Sequence, residues 1–315
     1  MSASHFGETA LVTGGTDGIG KEIARGLARQ GIDLVIVGRD AEKGERAAQD
    51  LRHSARNPHV AFLQADLALM RDVTRLADLI RGRWPALHYL VHDAGVVLSR
   101  RELSAEGIER NFAINYLSRF VLTRQLLQLF AAGSRPDRAA RIVIVSGAAQ
   151  GGKIHFDDVN LTANFATLRA VLQSCRANDL LTIELARRLA MTAAGPGPTV
   201  TCLKIGVVKT NIRHGFPGWM KLLVPLLLDP LLGQTPQGAA EAGLKLLLAE
   251  ELEDLTGALF LKIRGLKRLA PDTDPATLEE GRRLWELSER LVARALAAVV
   301  DPTRNTAPIS ADRLR

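Results

Sequence analysis

From residue 9 onward, short apolar runs alternate with longer stretches in which apolar residues recur at helical spacing. The runs at 9–13, 33–37, 60–64, 89–92, 141–146, 199–203 and 257–261 have the length of strands. The segments 19–30, 41–51, 73–83, 108–130, 168–190, 237–248 and 276–299 repeat at the helical period. This β-α-β alternation predicts an α/β fold: one doubly wound parallel sheet, with right-handed crossovers placing helices on both faces. A ligand of such a sheet sits beyond the carboxyl ends of its strands.

The rhythm breaks after Thr210. Residues 218–232 are strongly apolar, yet two prolines, a lysine and an aspartate interrupt them, so the run is too short and too broken to span a bilayer. It reads as a packed helical pair or as a C-terminal helical lid, over 213–235, above an apolar substrate. On this reading residues 1–300 form a single domain and 301–315 a frayed polar tail.

Composition narrows the functions without choosing one. With 315 residues, 47% hydrophobic and 24% charged, the chain can bury a substantial core. Its 41 Lys and Arg exceed its 34 Asp and Glu, which favours anionic ligands, but the surplus is spread along the chain. With 9 Phe, 3 Trp and 2 Tyr there is little to stack bases on, so no nucleic-acid partner is expected. Cys175 and Cys202 are too few for a disulfide framework or a zinc cluster, so no metal is expected. They suit a reducing compartment, and the opening residues lack the basic-then-apolar order of a signal peptide; a cytoplasmic location is expected.

Thr13-Gly14-Gly15-Thr16-Asp17-Gly18-Ile19-Gly20 falls where the first strand hands over to the first helix. Glycines there let the backbone turn tightly and approach a pyrophosphate, while the helix amino terminus offers N–H groups to its charge. With recurring β-α units around it, this loop predicts a Rossmann-type dinucleotide site. Gly14, Gly18 and Gly20 are its expected phosphate contacts, and Thr16, Asp17 and Ile19 bind the cofactor with them. The second strand ends in Gly38-Arg39-Asp40. NAD binders place an acid there for the ribose 2′-hydroxyl, and NADP binders a cation for the 2′-phosphate. Arg39 comes first and offers a planar fork suited to phosphate, whereas Asp40 is placed to cap the helix beginning at Ala41. NADP(H) is therefore expected over NAD(H).

With these residues the sequence resembles the short-chain dehydrogenase/reductase family, in particular its retinol-dehydrogenase-like branch, from about Glu8 to about Val292. Thr13–Gly20 matches the family's Thr-Gly-x-x-x-Gly-x-Gly. Asp66-Leu67 is similar to the pair lining the adenine, and His92-Asp93-Ala94-Gly95 stands where the family has Asn-Asn-Ala-Gly. The resemblance implies that Ala94 and Gly95 line the cofactor and that Thr210, in Ile205-Gly206-Val207-Val208-Lys209-Thr210, holds the nicotinamide amide. Leu284–Glu289 resembles the branch's last helix, and Asn115 matches the asparagine of the catalytic tetrad. The other three tetrad members are missing. The chain's two tyrosines, Tyr89 and Tyr116, are followed four residues on by Asp93 and Phe120, so no Tyr-x-x-x-Lys exists. Val171 stands for the tyrosine, Cys175 for the lysine and Gly147 for the serine.

Without the phenol and the ammonium, reduction of a plain carbonyl loses an acid worth roughly 10²- to 10⁴-fold. Asn115, Ser146 and His155 remain as candidate catalytic residues, His155 because it lies in a loop that rims the substrate site in the family. Cys175 reads mainly as a small core residue. Arg176 sits about 100° round the helix and replaces the cation only by curling inward; His92 and Asp93 are expected to pair with backbone. Three functions fit: an NADP(H)-dependent oxidoreductase with an altered proton path acting on an apolar or polycyclic molecule, a cyclase or isomerase on the same scaffold, or a non-catalytic nucleotide-binding sensor. By resemblance, a homo-oligomer would form through the helices at 108–130 and 168–190.

Overall fold

The strands are apolar on both faces, and burying both is what builds the molecule. The computed structural model describes residues 5, 7–192, 197–206, 208, 233–252 and 255–297. Among them β1 (Thr9–Thr13), β2 (Asp33–Gly38), β3 (Val60–Gln64), β4 (Tyr89–His92), β5 (Arg141–Gly147), β6 (Thr199–Ile205), β7 (Ala258–Lys262) and β8 (Leu266–Arg268) form one sheet. Its order is β3-β2-β1-β4-β5-β6-β7-β8, parallel except for the β7–β8 edge. The expected doubly wound α/β sheet is thus observed. β8 was not anticipated: its three residues, Leu-Lys-Arg, are too few to show a period.

Alternate strand residues feed two cores. Leu11, Val35, Leu90, Ile142 and Cys202 face one side. There they meet α3 (Met70–Arg83), α5 (Ser118–Gly133), α6 (Thr167–Thr192) and α8 (Pro275–Ala297). Val12, Ile36, Val91, Val143 and Leu203 face the other. That side is covered by α1 (Gly18–Arg29), α2 (Ala41–Ala55) and α7 (Pro236–Leu248). The chain leaves β1 toward β2 on one side while β4 joins on the other, so the sheet opens a crevice at the carboxyl ends of β1 and β4.

The long helix expected over 108–130 is built in three pieces. Buried Glu109 caps α4 (Arg110–Phe112), its carboxylate accepting from the N–H groups of Asn111 and Phe112 at 3.0 and 2.9 Å. A π-helical turn at Ala113–Leu117 then shifts the register before α5 begins. Single π turns often mark functional positions, and this one carries Asn115. The lid expected over 213–235 falls mainly on 209–232, outside the described residues, as do Thr210 and the tail 301–315.

Candidate cofactor cleft and active site

The loop between β1 and α1 is shaped by what cannot fit there. Gly14 has φ +73°, and a Cβ on it would meet the Ala94 backbone nitrogen at 2.7 Å. A Cβ on Gly20 would lie 2.6 Å from the Gly14 carbonyl and 2.7 Å from Asp93 Oδ2. The close approach is made by backbone alone, which is what a diphosphate laid across a helix amino terminus requires. Asp17 caps α1, accepting from the Gly18 N–H at 2.8 Å. Ile19 leans on the core behind.

At the end of β2 the two charged neighbours part company. Asp40 caps α2, its Oδ1 accepting from the Lys43 N–H at 2.8 Å. Arg39 is exposed, and among the described residues no carboxylate pairs with its guanidinium. Thr16 packs against Gly38 beside it. Lys43, which the sequence reading passed over, reaches back to Asp17 at 2.6 Å and adds a second cation at this end. After β3, Asp66 accepts from the Ala68 N–H at 3.0 Å, while the Leu67 side chain is buried in the core and leaves only its backbone to the cleft.

The floor of the cleft holds charges that sequence alone did not reveal. His92 bonds Thr123 Oγ1 at 2.8 Å, so it pairs with a side chain rather than with backbone as expected. Asp93 Oδ2 accepts from the Gly20 N–H at 2.7 Å, tying β4 to α1. Loss of water pushes Asp93 up to about 6, against the opposing pull of Arg119 and that N–H. Arg119 is itself buried. It donates to the carbonyls of Val145 at 2.6 Å and Ala94 at 2.9 Å, and burial brings it down to about 10. Asn115 uses its whole amide on one peptide: Oδ1 accepts from Val96 N–H and Nδ2 donates to Val96 carbonyl, both at 2.8 Å. Its own carbonyl accepts from Asn178 of α6 at 3.0 Å. Asn115 therefore braces the loop that carries Ala94 and Gly95 against α6.

At the other end, β5, β6 and α6 converge. Ser146 is 8% exposed, and its hydroxyl has no hydrogen-bond partner among the described residues apart from the adjoining Cys175 thiol. A Cβ on Gly147 would lie 3.1 Å from Cys175 Sγ, so Gly147 and Cys175 do meet where the family's serine and lysine stand. Burial pushes the Cys175 thiol up, with Lys204 and Ser146 opposing, which suits a core residue and not a proton donor.

Lys204, 1% exposed and next to last in β6, pairs in register with Ser146 of β5. Its ammonium donates to both oxygens of Asp179 on α6 at 2.6 Å. The pair eluded the sequence reading. One signal was present, a lysine inside an otherwise uncharged strand, but its partner lies 25 residues away on a helix.

The remaining expectations divide. His155 sits in a loop pinned by Gln173, which accepts from its backbone N–H at 3.0 Å; no described contact joins its imidazole to Ser146 or Asn115. Arg176 does not curl inward. It donates to Glu280 of α8 at 2.6 Å, because the helical angle that separates it from Cys175 turns it toward that helix. Neither phenol approaches Ser146: Tyr89 opens β4 and donates to Glu8 at 2.7 Å, and Tyr116 bonds Ser288 of α8 at 2.7 Å. Among the described residues no group of three metal-ligating side chains forms, and no helix is long and apolar enough to cross a membrane.

A family model described as short chain dehydrogenase matches residues 8–157. Human retinol dehydrogenase 13 is 37% identical over 293 residues, covering 91% of this chain and 85% of that protein. The chain belongs to the short-chain dehydrogenase/reductase family. Mouse retinol dehydrogenase 12 is 33% identical over 91% of this chain and 86% of its own length, which supports the retinol-dehydrogenase-like branch of these oxidoreductases. Human polyprenol dehydrogenase is 34% identical over 82% of this chain and 78% of its own length. Among solved short-chain dehydrogenase/reductase folds, an uncharacterized protein from Mycobacterium paratuberculosis has a TM-score of 0.69 at 25% identity, covering 93% of this chain and 96% of its own. Pseudomonas aeruginosa RhlG in an NADP active-site complex has a TM-score of 0.65 at 24% identity, covering 83% and 97%, and shares the fold.

Proposed function

We propose that this chain is an NADP(H)-dependent oxidoreductase whose cofactor half is complete and whose acid-base half departs from the family's, acting on an apolar small molecule from a single domain over residues 1–300. The observation that carries the reading is at the end of β2: a cradle closed to side chains at Gly14 and Gly20 leads to Arg39, with which no carboxylate pairs among the described residues, while Asp40 caps a helix. Gly14, Gly18 and Gly20 would hold the diphosphate, with Thr16, Asp17 and Ile19 completing the cofactor loop. Arg39 would take the 2′-phosphate; Asp66, Leu67, Ala94 and Gly95 would line the adenosine and ribose, with Thr210 on the nicotinamide amide. The group supplies a hydride when bound. The protein supplies position and a proton path.

An apolar substrate is supported by relatives named for retinol and polyprenol. The cytoplasmic reading rests on Cys175 and Cys202, both buried free thiols. With Val171, Cys175 and Gly147 at the tetrad positions, reactions that need little acid help should be favoured, such as hydride addition to a quinone, an activated enone or an iminium.

The test is transfer of label from deuterated NADPH to a panel of quinones, enones, imines and apolar aldehydes. Labelled product is expected, with NADPH bound at least tenfold more tightly than NADH. No transfer to any acceptor would overturn the oxidoreductase reading; turnover with the nicotinamide unchanged would assign a cyclase or isomerase instead. A second reading, a nucleotide-binding sensor, is favoured by the Asn115 amide, whose two polar atoms are both taken by Val96. It requires tight NADPH binding by calorimetry and no product.

A further inference from the structure

Two carboxylates already stand at the helix end where the diphosphate would lie. Asp17 accepts from the Gly18 N–H at 2.8 Å and Asp93 from the Gly20 N–H at 2.7 Å, so both occupy the first turn of α1. Their charges are answered differently. Asp17 pairs with the Lys43 ammonium at 2.6 Å. Asp93 has no directly paired cation among the described residues: Arg119, whose charge acts on it, spends its guanidinium on the carbonyls of Val145 and Ala94 and on Asn178. The loop is built closely round this carboxylate. A Cβ on Gly20 would lie 2.7 Å from Asp93 Oδ2, and one on Gly14 would lie 3.0 Å from the Asp93 carbonyl carbon. Where the family's motif has asparagine, an amide oxygen could accept from the same N–H, so what the aspartate adds is a charge and not a contact. An anion already seated at a helix amino terminus opposes the arrival of another.

We infer that Asp93 sets the affinity for NADP(H): its carboxylate takes up a proton when the diphosphate arrives, which couples cofactor binding to pH through the β4–α1 contact. The inference rests on the cofactor reading above. The proton comes from solvent and goes to Oδ1, to which no donor bonds among the described residues, while Oδ2 keeps the Gly20 N–H. Loss of water already brings the carboxyl to about 6 in the free protein, so a modest repulsion carries it through neutrality. The groups round it favour this. Arg119 on α5 and the Gly20 N–H on α1 are the two influences that hold the charge, and neither changes over this range. His92 beside it, bonded to Thr123, is kept neutral by burial, and β1 and β5 bring only the uncharged Thr13 and Val145 to this end. Asp17, the other acid on the helix, is matched by Lys43. Affinity is therefore full while the free carboxyl holds its proton and falls as pH rises through 6.

Calorimetry of NADPH binding in two buffers of different ionisation enthalpy counts the protons taken up. With the carboxyl at about 7 in the complex, the wild-type protein should take up about half a proton more than Asp93→Asn near about pH 6.5. Taking the difference cancels titration of the cofactor's own 2′-phosphate. Between about pH 5 and about pH 8 the wild-type affinity should fall about tenfold relative to Asp93→Asn, the two proteins agreeing at the acid end. A second measurement needs no variant. The 13Cγ signal of Asp93, assigned through the backbone of Ala94, should titrate near 6 in the free protein and at a higher pH with NADPH bound. Equal proton uptake by the two proteins, or a midpoint that NADPH does not move, would overturn the coupling and leave the cofactor reading standing. Absence of NADPH binding by the wild-type protein at every pH would remove both.

Discussion

At the end of β2 two neighbouring side chains of opposite charge do different jobs. Asp40 is bound to the α2 amino terminus, so its charge is answered there, and the exposed Arg39 pairs with no carboxylate among the described residues. Arg39→Ala should weaken NADPH by about 10- to 100-fold, the loss expected for charge-assisted bonds of roughly 1.5–3 kcal/mol, and change NADH affinity less than about threefold. Calorimetry with both coenzymes checks this. The tetrad positions show why restoring a family motif is not a local operation. Cys175→Lys would set a second ammonium beside Lys204, and like charges in a dry site cost on the order of 3 kcal/mol. Urea unfolding should show that loss for the single variant and recovery when Lys204→Met is added, a coupling that a double-mutant cycle measures directly. A sequence shows which residue types have left a motif. It does not show that a buried charge on another strand acts on one of the vacated positions.

Among the elements, α8 alters the picture most. The family resemblance pictured pairing of copies through the helices at 108–130 and 168–190. In the structure α8 lies on that surface within one chain. Trp285 stands edge-on to Phe120 at 4.9 Å, Ser288 meets Tyr116, and Glu280 meets Arg176. Arg188 lies over the Trp285 ring at 4.1 Å. Trp285→Ala should cost about 3–5 kcal/mol in urea unfolding, as large-to-small changes of buried aromatics do. A chain ending at Asp274 exposes Phe120 and its neighbours, and should self-associate more than the full chain in light scattering; an unchanged mass would show that α8 covers nothing important. The helix itself was readable from its period, but which surface it covers was not. The apolar stripe only says that some surface must be covered.

For the whole molecule, two carboxylates set opposite limbs of the stability curve. Glu8 lies at the amino end of β1, 2% exposed, among Tyr89, His5, Arg135 and Arg138. Burial pushes it up, but Tyr89, His5 and Arg138 outweigh that and hold it at about 2. A depressed carboxylate stabilises the fold above its unfolded value and loses that contribution as pH falls toward 2. Glu8→Gln should therefore cost about 3 kcal/mol at pH 7 and almost nothing at pH 2. Asp93 has the reverse sign. Its native state keeps a proton up to about 6, so its contribution is present below about pH 4 and lost as pH rises through 6. Asp93→Asn should remove that part of the slope, measured as unfolding free energy between pH 4 and 8.

The order of strands and helices, the glycine loop and the missing Tyr-x-x-x-Lys were readable from the chain, because each depends on local period or on residues close in sequence. β8 was not, being too short for a period, and neither was the π turn at Ala113–Leu117, where Glu109 and the Asn115–Val96 bonds settle the backbone. Arg119 under the cleft, Arg176 turned outward and Lys204 beneath Cys175 were decided only by folding, since each answers to partners contributed by distant elements. Charge buried between strands and helices has no periodicity of its own; it goes where a counter-charge and enough hydrogen bonds await it, and those exist only once the sheet is assembled.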